Sequence, residues 1–137
     1  MMEATFVRVQ AGEMELVPLT PLELAELVRA PQQAERTLMC TLPRDSDALL
    51  ALAQSRLPAV QDDRFCMYPW RSVWLVLRRY DRTALAACFF DGPPKDGAAH
   101  VCCMTLHPDF ESLRIAAMEA IRSWAAEQPG VRTVTSS

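Results

Sequence analysis

The fold is decided by three apolar segments, SVWLVLRR (72–79), TALAACFF (83–90) and AAHVCCMTL (98–106). The residues between them, YDR (80–82) and DGPPKDG (91–97), are rich in the Asp, Gly and Pro that are typical of turns. The first two segments are apolar at successive positions, which is typical of strands covered on both faces. We therefore predict three successive antiparallel strands, with the first two in the middle of a sheet.

A helix and a last strand follow these segments. Apolar residues at spacings of three and four predict a helix from about Glu111 or Ser112 to Glu127. A Pro-Gly pair ends it, and the β-branched tail VRTVTSS (131–137) is typical of a strand. Because a helix connects this tail to the third apolar segment, we expect the two strands to be parallel neighbours in a right-handed crossover.

The N-terminal half is predicted to contain one strand and three helical segments. EMELVPLT (13–20) alternates like a strand and leads into Thr20-Pro21-Leu22-Glu23, a capping box with proline at the first helical position. The helix that it starts should reach about Ala30, and a second helical segment follows over 31–40. A third has apolar residues at helical spacing and should stop at Pro58.

These elements define an α/β fold: a mixed, mostly antiparallel sheet with helices on both faces. The chain has 137 residues, of which 50% are hydrophobic and 23% charged, so we expect one globular domain over 1–137. A protein of this composition should fold without metal ions or disulfides.

Composition also excludes several classes of partner and site. The net charge of −3 gives no general attraction to nucleic acid, no apolar run is long enough to cross a membrane, and the N-terminus lacks the pattern of a secretory signal. The number of cysteines is odd, five, and four of them lie in apolar stretches, which favours a reducing, cytoplasmic compartment. Cys102 and Cys103 should point to opposite faces of one strand, so we expect no metal site.

The order of elements, above all over 72–135, resembles the GCN5-related N-acetyltransferase (GNAT) fold, including small GNAT-like proteins encoded among phage virion genes. In that family acetyl-CoA lies between the two parallel strands where they separate. Its pyrophosphate sits on backbone N–H groups at the start of the next helix, where the helix dipole favours an anion. The family's loop has Gln or Arg, two residues, Gly, one residue, and Gly or Ala.

Aligned on His107-Pro108, the matching stretch is ESLRIA (111–116), in which the final alanine alone fits the family's motif. Glu111 places a negative charge where Gln or Arg should stand, and Arg114 places a long side chain where glycine should leave room. Arg114 could instead bind a phosphate itself, or be ion-paired on the helix surface. If acetyl-CoA binds, the resemblance implies that it is held by Leu113, Arg114, Ile115 and Ala116.

The resemblance also implies what a transfer reaction would lack. Seven residues follow Gly130, so we expect a C-terminally abbreviated version of the fold without the elements that complete the acyl-transfer site. His107, at the end of a predicted strand and next to the loop, is the candidate general base if the protein is an enzyme. The alternative is a structural role, in which His107 hydrogen-bonds to the backbone.

A candidate partner surface lies in the segment PAVQDDRFCMYPWR (58–71), which we predict to be irregular. Aromatic residues and arginine dominate binding hot spots, so we assign partner binding to Phe65, Tyr68, Trp70 and Arg71. Of the tryptophans nearby, Trp70 should be exposed and Trp74 buried.

The leading hypothesis is therefore a non-catalytic, degenerate GNAT-like module without a cofactor, which acts in structure or protein interaction, with a phage virion or its assembly as one setting. The first alternative is an acetyl-CoA-dependent N-acyltransferase acting on an amine. The second is a small regulatory or chaperone-like homodimer. In each case we expect a protein partner or self-association, in the cytoplasm or in a virion assembled there.

Overall fold

The computed structural model describes residues 7–61 and 67–137. Its strands are β1 (Val9–Ala11), β2 (Met14–Pro18), β3 (Trp74–Arg78), β4 (Ala84–Phe90), β5 (Ala98–Thr105) and β6 (Thr133–Ser136). Its α-helices are α1 (Pro21–Arg29), α2 (Pro31–Leu38), α3 (Asp47–Gln61), α4 (Tyr68–Arg71) and α5 (Arg114–Ala126), and a 3₁₀ helix spans Pro108–Ser112.

The strands form one six-stranded sheet in chain order from β1 to β6. All neighbours are antiparallel except β5 and β6, which are parallel and pair from Ala98 with Thr133 to Val101 with Ser136. The predicted fold class, the antiparallel central strands and the parallel last pair are confirmed. None of the described helices combines the length and apolar character needed to span a membrane.

The sheet separates two hydrophobic cores. One core contains Trp74, Phe90 and Ile121 and lies between the sheet and α5. The other contains Leu24 and Leu49 and lies between the sheet and the helices α1, α2 and α3. Because β3 and β4 contribute side chains to both cores, their residues are buried at consecutive positions. This is the physical reason for the unbroken apolar runs in the sequence.

The start of α1 follows the predicted capping box. The Thr20 hydroxyl accepts from the Glu23 N–H at 3.3 Å, and the Glu23 carboxylate accepts from the Thr20 N–H at 2.9 Å. The hairpin that precedes α1 was not predicted. In it β1 pairs with β2 through a turn in which Gly12 has a φ of 58°. Glycine adopts this left-handed conformation at no steric cost.

The prediction that Pro58 ends the third helix is wrong, since α3 continues to Gln61. A proline inside a helix costs about 3 kcal/mol. Val60, on the turn after Pro58, is fully buried in the core under α3, and burying a valine contributes about 1.5–3 kcal/mol. Packing of this last turn therefore offsets much of the local penalty.

Candidate functional site

The loop after β5 is folded as a 3₁₀ helix that leads directly into α5. His107 caps the 3₁₀ helix, because its Nδ1 accepts from the Asp109 N–H at 3.1 Å. Phe110 is fully buried and fixes this segment to the core under α5. The segment thus has a defined backbone in place of a glycine-rich loop.

Arg114, the first residue of α5, is anchored back over this segment. Its Nη2 donates to the Thr105 hydroxyl at 2.5 Å and to Glu111 Oε1 at 3.1 Å. Its guanidinium also lies 5.2 Å from the centre of the Phe110 ring. Hydrogen bonding and attraction from Arg114 hold the pKa of the Glu111 carboxyl below its usual value. Arg114 is therefore ion-paired in the structure, and phosphate binding by Arg114 stays a prediction.

Backbone donors at the start of α5 remain near the surface. Leu113 is the N-cap residue and provides no side-chain cap for the first-turn N–H groups, which belong to Arg114, Ile115 and Ala116. Ile115 is 75% exposed. These N–H groups could donate hydrogen bonds to an anion, but the negative charge of the Glu111 carboxylate in the same segment opposes anion binding.

The β5–β6 pairing runs to Val101, which is the Cα partner of Ser136 and whose carbonyl accepts from the Ser137 N–H at 3.1 Å. β5 itself continues to Thr105 on the side that faces β6. Alternation along β5 directs the N–H and C=O groups of Cys103 and Thr105 toward this side. No strand in the described part of the chain pairs with that edge.

This topology is that of a GNAT-like fold, as comparison with solved structures shows. A GNAT-family acetyltransferase from Bacillus anthracis superposes with a TM-score of 0.54 over 93% of this chain and 71% of that one, at 6% identity. A GCN5-related N-acetyltransferase from Brucella melitensis gives a TM-score of 0.54 over 94% of this chain and 58% of that one, at 13% identity. At such identities the likeness concerns the fold alone. No protein-family model and no curated protein matches the sequence.

The two histidines occupy different settings. His107 uses Nδ1 for the cap described above. His100 lies between two hydroxyls of the last strand, with Nδ1 2.7 Å from Thr135 Oγ1 and Nε2 2.5 Å from Ser137 Oγ. The backbone-bonded alternative for His107 therefore agrees with the geometry, and its role as a base stays a prediction.

The expected exposure of Trp70 is wrong. Trp70 is 6% exposed, and its ring centre lies 4.7 Å from that of Phe90 and 5.0 Å from that of Trp124. The segment was expected to be irregular, but Tyr68–Arg71 forms a helical turn that rotates Trp70 into the core. Trp74 is buried, as predicted.

The other residues of the predicted partner surface divide into two groups. Tyr68 and Arg71 are partly exposed. Phe65 lies outside the described residues. Because Trp70 is buried, it does not contribute to an aromatic surface at this place. Partner binding by the remaining residues stays a prediction.

A cavity of about 360 Å³ lies between the sheet and the α1–α2 pair, and sequence reasoning missed it. Val17 and Leu77 contribute apolar walls, and Arg8 and Arg82 add positive charge. Both arginines approach Glu15, at 2.9 Å and 3.7 Å respectively, so this one carboxylate neutralises part of their positive charge. Because its walls come from separate elements, no single stretch of sequence signals it.

The described cysteines are also arranged in a way that the sequence pattern did not reveal. Cys103 is the Cα partner of Cys88 across the β4–β5 ladder, whereas its chain neighbour Cys102 lies on the opposite face. Within residues 7–61 and 67–137, no three His, Cys, Asp or Glu side chains are grouped to hold a metal ion.

Proposed function

We propose that this protein is a non-catalytic, degenerate GNAT-like domain that serves as a structural or protein-interaction module. The observation that carries the proposal is the position of Arg114, hydrogen-bonded to Thr105 and Glu111 at the start of α5. In the acetyltransferases of this fold, the corresponding place receives the cofactor's pyrophosphate.

Two physical effects oppose coenzyme binding there. The first is steric, because an arginine and its partners stand where a glycine lets the backbone approach a phosphate closely. The second is electrostatic: Glu111 neutralises Arg114 at 3.1 Å and would repel a pyrophosphate. A ligand would have to break the ion pair before it could use the guanidinium.

An exposed sheet edge supports the interaction role. Within the described residues β6 has one neighbour, β5, so its other side carries unpaired backbone groups. Alternation assigns this outer side to Val134 and Ser136, since the Thr133 and Ser137 N–H groups donate to β5. An open edge can pair with a strand from a second molecule, which favours self-association or strand-mediated recruitment.

An acetyl-CoA-dependent N-acyltransferase remains the second candidate. The features that favour it are the α5 first-turn N–H groups without a side-chain cap and the open edge of β5 at Cys103 and Thr105. A role in a phage virion, the cytoplasmic location and the identity of any partner all stay predictions.

A thermal-shift titration separates the two candidates. A ligand that prefers the native state must raise the melting temperature. We expect no saturable rise with acetyl-CoA or coenzyme A up to millimolar concentration. A saturable rise of several degrees would contradict the non-catalytic proposal and favour the acyltransferase.

A further inference from the structure

Cys88 and Cys103 face each other across adjacent antiparallel strands. They are direct Cα partners in the β4–β5 register. The His100 carbonyl accepts a hydrogen bond from the Asp91 N–H and so faces β4. The next carbonyl, of Val101, accepts from the Ser137 N–H and so faces β6. By this alternation the backbone groups of Cys103 point away from β4, so Cys88 and Cys103 form a non-hydrogen-bonded pair.

This type of pair has the spacing that a disulfide needs. The Cα atoms of non-hydrogen-bonded partners are typically about 4.5 Å apart, inside the range of about 4.4–6.8 Å found for disulfides. Both side chains lie on the α5 face of the sheet, where Cys88 is fully buried and Cys103 is partly buried against the same core. In the structure both thiols are free.

The surroundings distinguish the two thiols. Cys103 lies two residues before Thr105, on the same face of β5, and Thr105 holds the Arg114 guanidinium. The hydrogen bond from Cys88, and then the positive charge of Arg114, lower the pKa of the Cys103 thiol. The same hydrogen bond, and then burial, raise the pKa of the Cys88 thiol. A thiolate is the reacting form of cysteine, and Cys103 is partly exposed whereas Cys88 is fully buried, so Cys103 is the candidate nucleophile of the pair.

We propose that Cys103 and Cys88 form a thiol–disulfide exchange site for low-molecular-weight disulfides, in which Cys103 attacks and Cys88 resolves. The proposal rests on the strand register, the shared face and the placement of Arg114, and it holds whether or not the domain binds a coenzyme.

The reaction has two balanced steps. The Cys103 thiolate attacks one sulfur of a disulfide RSSR, the S–S bond breaks, and RS⁻ leaves after a Cys103–SR bond has formed. Cys88 then loses its proton and attacks the Cys103 sulfur, which forms the Cys88–Cys103 bond and releases the second RS⁻. The protein loses two electrons and two protons, and RSSR is reduced to two RSH.

The other described cysteines are natural controls. Burial raises the pKa of the Cys40 thiol to about 11, which makes it a poor nucleophile. Cys102 lies on the opposite face, where its thiol is 3.9 Å from the Ser137 hydroxyl. Neither has a thiol partner across its strand comparable to the Cys88–Cys103 pair.

Mass spectrometry of the native chain after treatment with oxidised glutathione tests the proposal. Free thiols are alkylated, the chain is denatured and alkylated again, and trypsin is added. Cleavage after Arg82, Lys95 and Arg114 places Cys88 in peptide 83–95 and Cys103 in peptide 96–114. We expect these peptides to be cross-linked, with reversal by a reductant. Full alkylation of both peptides, or a cross-link elsewhere in their place, would overturn the proposal.

Variants assign the roles. Because Cys102 shares peptide 96–114, Cys102→Ser must keep the cross-link, and its loss there would overturn the pairing. Cys88→Ser should stop at a glutathione adduct on Cys103, since no resolving thiol remains. Arg114→Ala should slow the reaction several-fold while Arg122→Ala, an exposed arginine of the same helix, leaves it unchanged. Equal rates in the two arginine variants would contradict activation by Arg114.

Discussion

The Arg114 guanidinium donates to the Thr105 hydroxyl at 2.5 Å and thereby ties the first residue of α5 to the last residue of β5. Glu111 completes the arrangement from the intervening 3₁₀ helix. Arg114 thus bonds to both Thr105 and Glu111 at the junction of β5 and α5. The predictions below follow from this arrangement and from the packing around it.

Removing Arg114 should change the titration of Glu111. Hydrogen bonding and attraction from the arginine hold the pKa of this carboxyl below its usual value, so Arg114→Ala should raise the pKa toward that value. NMR titration of the glutamate side-chain carbons measures the change. Arg122→Ala is the matched control and should leave Glu111 unaffected. An unchanged Glu111 titration in Arg114→Ala would show that the ion pair does not form in solution.

Trp70 should act as a core residue. It is buried against Phe90 and Trp124, so Trp70→Ala should lower the free energy of unfolding by about 3–5 kcal/mol in urea denaturation. Arg71→Ala, one residue further and partly exposed, should change it by about 0.5 kcal/mol or less. Similar small effects for both variants would favour a surface role for Trp70 instead.

The turn between β3 and β4 should make stability depend on acid pH. Hydrogen bonding from Arg78 lowers the pKa of Asp81 to about 2 from its usual value of 3.8. The unfolded chain therefore binds the proton first, so this contribution is complete above pH 3.8 and is lost as the pH falls toward 2. Urea midpoints between pH 5 and pH 2.5 should show a shallower decline in Asp81→Asn than in the native chain. Asp91→Asn, at an exposed aspartate, is the control and should show the same decline as the native chain. If the urea midpoint of this control declined as little as that of Asp81→Asn, the pH dependence could not be assigned to Asp81.

The outer edge of β6 should mediate self-association. Ser136→Pro removes an N–H that points away from β5, so the β5–β6 ladder is kept while the edge loses a donor. We expect sedimentation velocity to show an oligomer for the native chain and for Ser136→Ala, and a monomer for Ser136→Pro. A native chain that stays monomeric at high concentration would count against edge pairing.

The sequence predicted those features that depend on local pattern. Burial of β3 and β4 on both faces follows from their apolar runs. The start of α1 follows from the capping box at Thr20, whose hydrogen bonds join residues three apart. The extent of α3 was missed because burial of Val60 offsets much of the local penalty of Pro58. Trp70 was misplaced because the helical turn Tyr68–Arg71 directs its side chain into the core.

The candidate site could be predicted only in part for a similar reason. The departures at Glu111 and Arg114 are visible in the sequence, but their hydrogen bonds with Thr105 depend on the 3₁₀ helix that brings β5 and α5 together. The partnership of Cys88 with Cys103 depends on strand register, which a single sequence does not define.

Isothermal titration calorimetry with acetyl-CoA tests the central claim most directly, by comparing the native chain with the double variant Glu111→Gln, Arg114→Gly. The variant restores the family's loop pattern and removes both the ion pair and the negative charge. We predict no measurable heat of binding for the native chain and saturable binding for the variant. Micromolar binding by the native chain that is lost in Arg114→Ala would contradict the account, because Arg114 would then hold the cofactor.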